Sequence, residues 1–196
     1  MSVPDAESKV AARAAQVVEQ RLDVIELAAL RGRAREVETL AAARGLALPG
    51  MGRAVTTERW STLSVRPDRW LLLQARAVPG ERVAQWQTAC AGTATAVDLS
   101  SAFTVLHLSG PKSRELLARS CRVDLHESVL PSGRAIATVM AQVAVIIATM
   151  PGGLLLLTPS TTARHFREWL TASARLFGLL PHSTGAAVEL FGSTGT

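Results

Sequence analysis

Segments of this chain recur after about 80 residues, in the same order. Pro67-Asp68-Arg69-Trp70-Leu71-Leu72-Leu73 is answered by Pro151-Gly152-Gly153-Leu154-Leu155-Leu156-Leu157. Trp86-Gln87-Thr88-Ala89 is answered by Trp169-Leu170-Thr171-Ala172, and Gly32 ahead of Arg35-Glu36 by Gly110 ahead of Arg114-Glu115. Self-similarity at one period is the signature of a repeated supersecondary unit. The expected fold is α+β: two β-α-β-β-α-β, ferredoxin-like halves related by a pseudo-twofold axis in a single compact unit. Chance likeness between apolar stretches is the competing reading.

Local signals place the elements. Glu7 to Arg21 is Ala-rich with spaced charges and reads as a helix or an arm. Leu22 to Leu30 reads as a strand ended by Gly32, and Arg33 to Arg44 as a helix stopped by Gly45. Pro49, Gly50 and Gly52 mark Leu46 to Thr57 as a loop. A hairpin is expected from Trp60 to Ala75, turning at Arg66-Pro67-Asp68. Pro79-Gly80 opens a helix to about Ala91, and strands follow at Thr93 to Leu99 and Phe103 to Leu108. Pro111 sits in the first turn of the next helix. Arg134 to Ala141 and Val143 to Thr149 form a second hairpin, followed by the strand Leu154 to Thr158. Ser160 is expected to cap a last helix through about Phe177. The division is then an N-terminal arm or helix over 1–21, a domain over 22–178, and a loose C-terminal tail over 179–196.

A hydrophobic fraction of 48% supports a substantial core. The net charge of +5 is uneven, with eleven basic residues against five acidic ones from Arg44 to Arg122. Nearly all the bases are Arg, scattered singly, and the chain has no Tyr. Nucleic-acid surfaces cluster their bases and interleave aromatics, so a protein-facing or solvated surface is expected instead. Cys90 and Cys121 cannot support a disulfide framework, which points to a reduced cytoplasmic compartment. Asp5 and Glu7 speak against a signal peptide. The longest apolar run, Ala135 to Met150, is interrupted by Gln142 and is too short to span a membrane as a helix.

Catalytic motifs are not found. Gly50-Met51-Gly52 lacks the third glycine of a dinucleotide turn and leads toward a strand. Cys121, Asp124 and His126 lie close in sequence, but no further cysteine pair or histidine cluster completes a zinc set. Ser109-Gly110-Pro111 resembles no nucleophile elbow, and His107 in mid-strand, His165 on the last helix and His182 in the tail read as surface or packing histidines rather than general bases. Asp98, at a strand end, either accepts turn amides from Ser100 and Ser101 or contacts a pterin, and the turn is the favoured reading. Trp60, Trp70, Trp86 and Trp169 stand beside aliphatic neighbours and read as core or interface side chains.

One stretch is more specific. Asp98-Leu99-Ser100, Leu108-Ser109-Gly110-Pro111, Cys121, Asp124-Leu125-His126 and the upstream Pro67-Asp68-Arg69-Trp70-Leu71-Leu72 together resemble the gamma-subunit family of heterotetrameric sarcosine oxidase. The likeness runs from about residue 22 to 178. It departs after the Asp-Leu-His turn, where Glu127 and Leu130 replace the family's frequent proline and aromatic. The resemblance implies a fold like the folate-binding domain of the glycine-cleavage T-protein. It also implies a bacterial cytoplasmic complex with alpha, beta and delta partners that oxidatively demethylates sarcosine or another N-methyl amine. The methyl carbon would pass to tetrahydrofolate or leave as formaldehyde. FAD, FMN, NAD, tetrahydrofolate and zinc are expected on the other subunits, with no catalytic, cofactor or metal residue on this one. Assembly is its expected role, with Trp60, Trp70, Arg59, Arg66 and Arg69 as candidate anchors. The alternatives are a stand-alone folate-dependent aminomethyltransferase and an Arg-rich nucleic-acid-binding module.

Overall fold

The computed structural model describes residues 15–57, 59–174 and the backbone of 183–185. One sheet is antiparallel, in the order β3 (Arg53–Thr56), β4 (Ser61–Arg66), β5 (Arg69–Ala75), β2 (Leu22–Ala29), β6 (Ala94–Asp98). The other has five antiparallel strands, β1 (Gln16–Gln20), β7 (Phe103–Ser109), β10 (Gly153–Pro159), β9 (Val143–Met150) and β8 (Ala135–Met140). The short β11 (Ser183–Gly185) extends it by pairing parallel to β1. Helices α1 (Ala34–Ala42) and α2 (Glu81–Ala89) belong to the first half of the chain, α3 (Ser113–Ala118) and α4 (Ala163–Ala174) to the second.

Three apolar clusters define four layers. Val37 and Ala41 of α1 and Trp86 of α2 pack on Ile25, Leu27, Trp70 and Leu72. Leu116 and Leu117 of α3 and Phe166 and Leu170 of α4 pack on Leu106, Leu108, Leu154 and Leu156. Between the sheets lie Val24, Leu71, Leu73, Val105, Leu155 and Leu157. Each sheet is thus covered by helices on one side and by its partner sheet on the other. A strand buried on both faces loses its polar alternation. That explains the two echoing apolar runs: Trp70 to Leu73 lies on β5 and Leu154 to Leu157 on β10, each inside its sheet.

The α+β class is as expected. The first half carries a three-strand meander, with β3 added to the expected hairpin, while the second hairpin and the strand after it are found as β8, β9 and β10. Within the sheets, β3-β4-β5-β2 and β8-β9-β10-β7 follow the same order. β6 flanks β2, whereas β1 flanks β7 with β11 beyond it. The sheets are stitched along one side, where Ala54 N donates to Gly133 O and Ala135 N to Gly52 O, both at 3.0 Å.

Several local expectations need correction. Gln16 to Gln20, expected in an arm or helix, form β1, because pairing with β7 buries Val17 and Val18. Arg53 to Thr56, expected in a loop, form β3 through distant pairing with β4. Ser183 to Gly185, expected in the loose tail, pair with β1. Ser160 does not cap the last helix; its hydroxyl donates to Ser101 O at 2.9 Å, tying the start of α4 to the β6–β7 loop. The remainder of the arm and of the tail lies outside the described residues. No helix among the described residues is long and apolar enough to cross a membrane.

Candidate functional site

The residues singled out in the sequence separate into turns, a core network and a groove. The two Asp-Leu segments are turns. Asp98 Oδ1 accepts the Ser100 amide at 2.8 Å, and Ser100 Oγ accepts the Val24 amide at 3.0 Å. Asp124 Oδ1 accepts the His126 amide at 2.8 Å, and the His126 ring shares a 2.8 Å hydrogen bond with Ser128 Oγ. Leu125 is buried, and Arg114 Nη1 clamps the loop by donating to Leu125 O at 2.6 Å and Leu130 O at 2.9 Å. An aspartate holding the amide two residues on is an ordinary turn device. Cys121 packs against the core between the second sheet and its helices. Among the described residues no three His, Cys, Asp or Glu side chains converge as metal ligands.

The tryptophans do not form one cluster. Trp70 is 3% exposed and donates its indole N–H to Pro49 O at 2.9 Å, so its surface is already used inside the chain. Trp60 is half-buried and meets Trp86 edge-on, with ring centroids 6.4 Å apart. The Arg82 guanidinium lies 5.9 Å above the Trp60 ring, and Arg44 lies 6.0 Å above Trp86. Trp169 packs on Phe166. Sequence reading missed Asp23. Its carboxylate is buried on β2, 3.1 Å from Arg82 Nε and 3.8 Å from Arg76 Nε, and it accepts the Ala77 amide at 3.0 Å. A charge in the apolar strand Leu22 to Leu30 was the available signal. This network fixes the start of α2 against the sheet. Cys90, at the end of α2, is fully buried; burial pushes its thiol pKa up, partly offset by a backbone hydrogen bond and the Arg44 charge.

Arg66 and Arg69 come together at a groove of about 480 Å³ that Trp70 also lines. They stand at its rim, where the inter-sheet layer opens to solvent. Val65, Leu99, Phe103 and Ile146 line it and are only half-buried. Arg69 Nη1 is held by Glu26 Oε1 at 2.8 Å, while Arg66 is exposed and has no ion-pair partner among the described residues. Arg59 is exposed, outside the groove lining. The groove is mostly apolar with a cationic edge, which suits binding more than proton transfer.

These features define an α+β protein of paired, helix-covered sheets with a turn-bound set of polar motifs. The same fold is present in the glycine cleavage system aminomethyltransferase T from Bartonella henselae, at a TM-score of 0.64 and 16% identity over 92% of this chain and 51% of that one. That likeness concerns the fold alone. The chain belongs to the sarcosine oxidase gamma subunit family, whose profile matches residues 31–175. A sarcosine oxidase subunit gamma from Arthrobacter sp. is 36% identical over 113 residues, which are 55% of this chain and 54% of that protein. The match thus spans about half the length of that relative. A chain of the heterotetrameric sarcosine oxidase from Corynebacterium sp. U-96, solved in complex with pyrrole 2-carboxylate, superposes at a TM-score of 0.75. Its identity is 27%, over 87% of this chain and 88% of that one.

Proposed function

We propose that this chain is the gamma subunit of a cytoplasmic heterotetrameric sarcosine oxidase or a related N-methyl amine oxidoreductase, and that it serves assembly rather than chemistry. The observation that carries this reading is the near end-to-end likeness to a chain of the heterotetrameric enzyme, 87% of one chain against 88% of the other. Alpha, beta and delta subunits would be its partners, and they would carry FAD, FMN, NAD, tetrahydrofolate and zinc. The assignment of the aspartates to turns supports a non-catalytic role, since Asp98 already holds the Ser100 amide. The common strand order of the two halves supports an origin by duplication of a ferredoxin-like unit, with β3 and β8 as the added strands.

The test is co-expression with the companion oxidase subunits, followed by co-purification and sizing. The expected result is a soluble complex containing this chain, while the chain alone binds no flavin and oxidises no sarcosine. A monomer that ignores the other subunits at micromolar concentration defeats the subunit reading. A stoichiometric yellow chromophore with amine turnover on the isolated chain defeats the non-catalytic one.

A further inference from the structure

The groove between the sheets continues onto an uncovered apolar surface. On the β8–β9 hairpin, alternate residues face the inter-sheet layer, and Ala135 and Ala148 are buried there. Toward the hairpin tip the same faces carry Ala137 opposite Ile146 and Val139 opposite Ala144. Ala137 and Ala144 are exposed, and Val139 is 53% exposed. Ile146 packs partly against the inter-sheet cluster, whereas Ala137, Val139 and Ala144 stay uncovered. Groove and hairpin face therefore form one elongated apolar strip, bounded by Arg66 and the Arg69–Glu26 pair.

We infer that this strip seats a segment of another subunit that presents apolar side chains and places a carboxylate against Arg66. Two observations select that occupant. Val139 carries the exposed apolar face beyond the groove lining, and contiguous exposed apolar surface marks protein contact sites. The charge at the rim is one-sided. Arg69 is balanced by Glu26, whereas Arg66 has no counter-charge among the described residues, and Arg is the side chain suited to bidentate capture of a carboxylate at an interface. The small alanines at 102, 137 and 144 leave room for the partner's larger side chains. The inference rests on the subunit reading and assigns a surface to it.

Ala144→Cys places a thiol on the strip. The variant is labelled with N-ethylmaleimide as the free chain and in the co-expressed complex, and the adduct is located by peptide mass. The expected result is at least tenfold slower labelling in the complex. Arg66→Glu is expected to weaken assembly at least tenfold while leaving the thermal midpoint of the free chain in place. Assembly with A144C fully reactive, or with R66E at unaltered affinity, overturns the groove assignment and leaves the subunit reading standing. Failure of the unaltered chain to assemble overturns both. Recovery of a stoichiometric small molecule from the denatured free chain, with A144C unreactive before assembly, assigns the groove to a ligand and overturns the partner segment.

Discussion

Ser100 Oγ accepts the backbone amide of Val24 at 3.0 Å across 76 residues of sequence. The contact joins the β6–β7 turn to β2, and Leu99 N adds a second bond to Val24 O at 2.7 Å. Asp98 shapes the turn that presents Ser100. A polar pair that a pterin site could have claimed is thus engaged with the backbone.

Ser100→Ala leaves the amide of buried Val24 without its acceptor and should cost about 1 kcal/mol. Asp98→Ala should cost less than about 1 kcal/mol, because its bond is exposed. Urea denaturation measures both. Folate affinity of the assembled complex should be unchanged in Asp98→Asn; a loss of folate binding with assembly intact would restore the enzyme reading.

Arg114 holds a loop rather than a substrate. Its Nη1 serves two carbonyls, Leu125 O inside the Asp124 turn and Leu130 O after it. Hydrogen bonds from a charged donor are stronger than neutral ones, so Arg114→Ala should destabilise by roughly 2 kcal/mol. Hydrogen exchange should show faster opening of residues 122–130, with the strands of the first sheet unaffected.

The legible parts of the fold were those written locally. Gly45, with its left-handed φ of 72°, ends α1, and Pro67-Asp68 turns the first hairpin, as their residue types require. The turn role of Asp98 was legible for the same reason. The misses were non-local. β1 and β3 have no strong alternation of their own and become strands only by pairing with β7 and β4. Ser160 has the chemistry of a cap, yet Ser101 O, 59 residues away in sequence, accepts its hydrogen bond. Trp70 and Arg69 are neighbours in sequence, but strand alternation sends one into the helix-side core and the other to the groove rim. No local pattern shows which end of a doubly covered strand opens onto the groove.

The β8–β9 hairpin turns at Ala141 and Gln142, whose φ values of 48° and 64° are both left-handed. Two-residue turns of this kind favour Asn-Gly, since a Cβ is strained there. Ala141→Asn combined with Gln142→Gly should therefore stabilise the chain, by about 1 kcal/mol, with the register of β8 and β9 retained. A rise in the urea midpoint at constant slope checks it. A fall would overturn the reading that the Cβ atoms at 141 and 142 strain this turn.

Cys90 gives the chain a pH dependence at the alkaline end. Its side chain is fully buried at the end of α2, and the thiol donates to Trp86 O at 2.7 Å. Burial raises its pKa above the ordinary thiol value of about 8.5, because the thiolate loses its hydration. A raised folded-state pKa means that the unfolded chain gives up its proton first. The contribution to stability is therefore complete below about pH 8.5 and is lost as the pH climbs toward the folded-state value. With no Tyr in the chain and lysine only at Lys9 and Lys112, few other groups titrate in that window. Urea midpoints measured from about pH 8 to pH 10 should fall more steeply for the unaltered chain than for Cys90→Ala. Parallel slopes in the two proteins would show that the Cys90 thiol titrates alike in the folded and unfolded chains.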